Sequence, residues 1–92
     1  MRVFEAATAM TYYEFIWTDE IIDHLAEHGV SSDDFEKVVS EPDRIGYSRS
    51  SGAPCCWGET SDGRFLFCVY DLEDDGITVI PRTAYDTRRL GQ

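Results

Sequence analysis

The chain has 92 residues, 42% hydrophobic and 28% charged, with 18 acids against eight basic residues and a net charge of −10. That length holds one domain and excludes a second, while five Phe, five Tyr and two Trp give it enough apolar side chain to exclude a disordered tail. The charge repels phosphate backbones at long range, which argues against non-specific nucleic-acid binding and favours solubility or a basic partner.

The charge is unevenly spread. Residues 1–43 carry eleven acids against Arg2 and Lys37, a net of −9, whereas residues 44–92 carry seven acids and six arginines, a net of −1. A local arginine cluster can bind phosphate within about one Debye length, roughly 8 Å at physiological salt. Any nucleic-acid contact is therefore expected from the second half. Cys55, Cys56 and Cys68 are an odd set without a C-x-x-C spacing, which predicts reduced thiols and a cytoplasmic setting. The first residues lack the apolar core of a secretory signal, and no apolar run is long enough to span a membrane. Residues 1–11 are expected to be a loosely ordered extension, and 12–92 a single domain.

In chain order, Tyr12 to Trp17 is aromatic-rich and weakly alternating, which predicts a short first strand. Thr18 is placed to cap a helix over about 19–28, with Asp19 and Glu20 in its first turn, Ile21, Ile22, Leu25 and Ala26 at helical spacing, and His28-Gly29 as the stop. Ser31 or Ser32 caps a second helix with Phe35, Val38 and Val39 on one face, closed by Pro42; the link between the helices is short enough to make a helical hairpin. Strands are then expected at Arg44–Ser48, Cys55–Thr60, Phe65–Tyr70 and Ile77–Ile80. Turns fall at Ser61-Asp62-Gly63 and Glu73-Asp74-Asp75-Gly76, and Pro81 is read as ending the last strand. The predicted fold class is α+β: a short N-terminal strand, a two-helix hairpin, a four-stranded antiparallel meander and a short C-terminal helical segment.

Several motifs together resemble the BrnT-like toxins of type II toxin–antitoxin systems, within the wider RelE/ParE-like superfamily. They are Phe15-Ile16-Trp17-Thr18-Asp19, a helix ending in Glu27-His28-Gly29-Val30-Ser31, a second helix ending before Pro42, Gly58-Glu59-Thr60 before Gly63-Arg64, and a strand into Arg82-Thr83-Ala84 with a basic tail. The resemblance covers about residues 13–90. It implies a RelE-like fold and an endoribonuclease held inactive by a cognate antitoxin protein, with RNA as substrate and no cofactor. The chain differs from the family's usual basic character in its net charge, in Asp23 and Glu27 on the first helix, and in a short ending after Arg88-Arg89.

Cleavage of RNA by its own 2′-hydroxyl needs a base, a cation for the developing phosphorane charge and an acid for the leaving 5′-oxygen. Arginine suits the second role because its planar fork matches phosphate oxygens. Arg64 and Arg82, at the ends of neighbouring strands, are expected at the same end of the sheet. Arg88 and Arg89 are expected to flank Tyr85 on a helical turn. The candidate catalytic residues are thus Arg64, Arg82, Glu59 and Tyr85, and the candidate phosphate-binding residues are Arg64, Arg82, Arg88 and Arg89. Each arginine has an alternative reading as the partner of a surface carboxylate, and Glu59 as an ordinary exposed strand residue. A second function class is a non-catalytic protein-binding module of the same fold, using its acidic helical face or a sheet edge.

Other motifs carry weaker readings. His24 and His28 are spaced i, i+4, yet no third ligand stands at an identifiable spacing, so no metal site is expected and His28 reads as a helix-end residue. Of Cys55 and Cys56, alternation along a strand sends one thiol to the core and the other to the opposite face, with no histidine nearby in sequence to activate either. Trp17, Phe35, Trp57, Phe65, Phe67 and Tyr70 are assigned to the core ahead of a base-stacking platform.

Overall fold

The structure, a computed structural model, describes residues 13–49 and 51–87. It contains, in chain order, β1 (Glu14–Phe15), α1 (Asp19–Ala26), α2 (Ser32–Ser40), β2 (Arg44–Tyr47), β3 (Pro54–Glu59), β4 (Phe65–Leu72) and β5 (Thr78–Asp86). The helix starts follow from their caps. Thr18 accepts a hydrogen bond from the Ile21 N–H and Ser31 from the Asp34 N–H, both at 3.1 Å, which satisfies donors that have no partner within the helix. After α1 the chain turns at Gly29, whose φ of 74° is a left-handed conformation that side chains disfavour.

The five strands form one mixed sheet in the order β1-β5-β4-β3-β2. β2 to β5 make the expected antiparallel meander. The N-terminal strand is shorter than predicted and joins the same sheet, lying parallel to β5 with Glu14 opposite Thr78 and Phe15 opposite Val79. That pairing links segments more than sixty residues apart, and no local pattern announces it.

Pro81 does not end the last strand. β5 continues to Asp86, because the register slips where Tyr70 faces Pro81 and Val69 faces Thr83, leaving Arg82 as an extra residue at a β-bulge. A bulge is one of the few places in a sheet where a residue without an N–H is tolerated. The predicted C-terminal helical segment is corrected accordingly: Tyr85 and Asp86 are strand residues, and Arg88 and Arg89 lie outside the described residues.

Both helices cover one face of the sheet, α1 against β5 and α2 against β3 and β4. The main core is Leu25, Val30, Phe35, Val38 and Val39 from the helical layer against Cys56, Leu66, Cys68, Tyr70, Val79 and Ala84 from the sheet. Phe35 meets Phe15 and Trp17 edge-on, and the Trp17 indole N–H donates to Glu36 at 2.7 Å. α2 approaches the sheet closely at Gly58, since a Cβ there would lie 3.1 Å from Val38 Cγ1. Among the described residues no helix is long and apolar enough to cross a membrane.

Candidate functional site

Alternation along the strands sends a second set of side chains to the face away from the helices. Cross-strand register aligns Arg44 with Trp57, Trp57 with Phe67, and Phe67 with Tyr85, so four successive strands contribute one residue each to a single row. The row is continuous by contact. The Arg44 guanidinium carbon lies 5.8 Å from the Trp57 ring centre, the Trp57 and Phe67 rings are 4.9 Å apart, and the Phe67 and Tyr85 rings 5.4 Å. It ends at the turn after α1, where the His28 ring is 6.2 Å from Tyr85, with His24 of α1 a further 5.6 Å from His28.

Beside the row lies a groove of about 340 Å³ whose lining includes Phe67, Val69, Arg82, Thr83 and Tyr85. Arg82 and Tyr85, both named from the sequence, therefore share one site. Arg82 makes an ion pair to Asp71 at 3.3 Å, with both side chains about half exposed (50% and 47%), an arrangement a competing phosphate can displace at little cost. Glu59 is on the same face but opposite Phe65, two residues along β3 from Trp57, and is not among the groove residues.

Arg64 is elsewhere. It precedes β4 on the helix-facing side, five to six residues along the strand from the level of Arg82, roughly 17–20 Å at strand rise. The two arginines thus occupy opposite faces and do not meet at one end of the sheet as expected, because the bulge extends β5 well past Arg82. Arg64 also has partners already: Nη2 donates to Asp34 at 2.7 Å, Nη1 to the Gly29 carbonyl at 2.8 Å and to Asp86 at 3.3 Å, while Nε lies 3.6 Å from Asp62, too far for a hydrogen bond. The guanidinium joins the helical hairpin, the sheet and the 60–64 turn. In that turn Thr60 donates from its hydroxyl to Asp62, which together with the nearby Arg64 charge holds the Asp62 carboxyl below the usual carboxylate range.

Neither Cys55 nor Cys68 is activated. All three thiols are free and buried; burial raises the Cys55 thiol, and the Cys68 thiol is raised by its hydrogen bond with Cys56 and by burial. Among the described residues no group of three or more His, Cys, Asp or Glu side chains is arranged to hold a metal ion.

The aromatic residues divide in a way their sequence spacing does not reveal. Trp17, Phe35 and Tyr70 pack in the core, and burial raises the Tyr70 phenol, whereas Trp57 and Phe67 lie half-buried on the other face with Tyr85. His28 is the residue that sequence reasoning left out of the site. It stands 57 positions before Tyr85, and only the packing of α1 beside the outer end of β5 brings the two rings together.

No protein-family model, curated protein or solved structure matches this chain. The fold and site are those of an α+β domain with two helices on one sheet face and an aromatic row on the other.

Proposed function

We propose that the helix-free face binds single-stranded RNA, and that the chain is a toxin-type endoribonuclease of BrnT/RelE-like fold, restrained by an antitoxin protein. The observation that carries this reading is the Trp57–Phe67–Tyr85 row with Arg82 beside it and His28 at its end. Unstacked bases lie against aromatic rings with little sequence preference, each worth about 1–3 kcal/mol. Arg82 exchanges Asp71 for a phosphate oxygen and stabilises the charge that develops on the phosphorane. His28 supplies the acid–base partner that the second half of the sequence lacks, imidazole being the side chain most often used for general acid–base catalysis. The Tyr85 phenol, next to it, positions the strand and takes part in moving the proton between 2′-hydroxyl and leaving oxygen. Arg64 has no part in this chemistry and serves to hold the fold.

A second reading, a non-catalytic protein-binding module, is favoured by the net charge of −10 and by the carboxylate partners of both Arg64 and Arg82. Purified protein incubated with unstructured RNA separates the two. The first reading expects cleavage that is lost in Arg82→Ala and reduced in His28→Ala and Tyr85→Phe, with each variant folded by circular dichroism. Intact RNA with the parent protein, or parent-like cleavage by Arg82→Ala, overturns it.

A further inference from the structure

The outer edge of β2 is the second unused surface of this molecule. Among the described residues no strand pairs with it, and it presents Ile45 and Tyr47 at 74% and 77% exposure, the most exposed large apolar residues described. Ser48 donates to the Ala53 carbonyl at 2.7 Å, so by the two-residue period of an antiparallel ladder the polar backbone groups of Gly46 and Arg44 also point inward to β3. Those of Ile45 and Tyr47 point out. An edge with outward backbone groups and apolar side chains is a template for another strand.

The sequence around it is complementary to itself. Read outward from Gly46, Ile45 stands against Tyr47, Arg44 against Ser48 and Asp43 against Arg49. A two-fold axis through Gly46 would therefore set apolar beside apolar and acid beside base on both sides of the axis. This register also suits the backbone. Ile45 would face Tyr47 of the other copy, and since both carry outward N–H and C=O groups, each such pair exchanges two hydrogen bonds. Gly46 would face Gly46 as a non-hydrogen-bonded pair, where Cα atoms approach to about 4.5 Å. Charge favours the same place: residues 44–58 contain Arg44 and Arg49 and no acid, in a chain whose net charge otherwise opposes association. The side chains have room as well. Ile45 and Tyr47 border a groove of about 360 Å³ that also touches Val39, Pro42, Tyr70 and Leu72, on the helical side of the sheet.

We infer that the outer edge of β2 pairs antiparallel with the same edge of a second copy of this chain, about a two-fold axis at Gly46, forming one sheet continuous across both subunits. The pairing leaves the aromatic face of each subunit uncovered, so it is independent of the RNA reading. The contact is short, and the dimer is accordingly concentration-dependent and strengthened by salt, which screens the repulsion between two acidic chains.

The test combines mass measurement with cysteine trapping in the full chain. Sedimentation equilibrium over a wide concentration range should show monomer passing to dimer. Ile45→Lys should shift the midpoint at least tenfold to higher concentration, and Tyr47→Pro should do the same by removing an outward N–H that the fold does not use. Under mild oxidation, Gly46→Cys in a Cys55→Ala background should form a disulfide-linked dimer: its added Cβ meets the Trp57 ring at an ordinary 3.5 Å, the pair distance suits a disulfide, and the Cys55 thiol, whose Sγ lies 3.9 Å from that Cβ, is no longer there to compete within the chain. Ile45→Cys alone should not, while a mixture of Ile45→Cys and Tyr47→Cys chains should. A monomer at every concentration, or equal trapping at positions 45, 46 and 47, overturns the proposal. Circular dichroism of each variant separates loss of pairing from loss of fold.

Discussion

Replacing Arg64 with alanine removes a side chain that touches α2 through Asp34, the α1–α2 turn through the Gly29 carbonyl, and β5 through Asp86. Arg64 and Asp34 are 29% and 23% exposed, between a surface ion pair worth about 0–1 kcal/mol and a buried one whose breaking costs about 3–5 kcal/mol. Discounting for the solvent that reaches both groups leaves a loss of about 2 kcal/mol. For a domain of this size each kcal/mol moves Tm by about 4–8 °C, so the expected fall is about 8–16 °C. Thermal unfolding followed by circular dichroism measures it. A double-mutant cycle with Asp34→Ala should return a coupling of about 1 kcal/mol or more. Arg64→Lys should recover little, because a single ammonium cannot serve three acceptors lying in different directions. Arg82→Ala, which breaks a half-exposed pair, should change stability by less than about 0.5 kcal/mol. An unchanged melt for Arg64→Ala, or an equal loss for Arg82→Ala, would refute the division of labour between the two arginines.

Three further outcomes follow from the packing and the backbone. Gly58→Val adds side-chain atoms where even a Cβ lies 3.1 Å from Val38, so urea unfolding should show a loss of about 1–3 kcal/mol, whereas Gly52→Ala, with nothing within 4 Å but a φ of 74°, should lose only about 1 kcal/mol from backbone strain. The buried thiols should resist alkylation in the native protein and react at once after denaturation. Because the folded state holds the Cys68 and Tyr70 protons more tightly than the unfolded chain does, stability is fully present below the ordinary thiol value of 9.0 and is lost as pH rises above it. A urea midpoint that stays flat from neutrality to strongly alkaline pH would contradict this.

The helical hairpin was legible because its signals are local: Thr18 and Ser31 as caps, Gly29 as the stop, and Leu25, Phe35, Val38 and Val39 at helical spacing. The meander was legible for the same reason, each turn lying between two apolar runs. What escaped depended on long-range register. β1 finds β5 across nearly the whole chain, and the bulge at Arg82 decides which residue faces Phe67. Without that slip there is no way to align Tyr85 with Trp57 and Phe67, and without the alignment the row is invisible. Arg64 was misplaced for a related reason. Two of its carboxylate partners, Asp34 and Asp86, stand 30 and 22 positions away, so its neighbours in sequence show only Asp62 where the fold gathers three acids.

The row itself is open to a direct measurement. With Trp17 replaced by phenylalanine, Trp57 is the only indole in the chain, and its fluorescence reports on whatever stacks against the helix-free face. Titration with a short single-stranded RNA at low salt should quench it saturably, with Tyr85→Ala and Arg82→Ala each weakening the interaction several-fold and Arg64→Lys leaving it intact. An emission spectrum that does not respond to RNA, or quenching indifferent to both Tyr85 and Arg82, would contradict the assignment of that face to RNA.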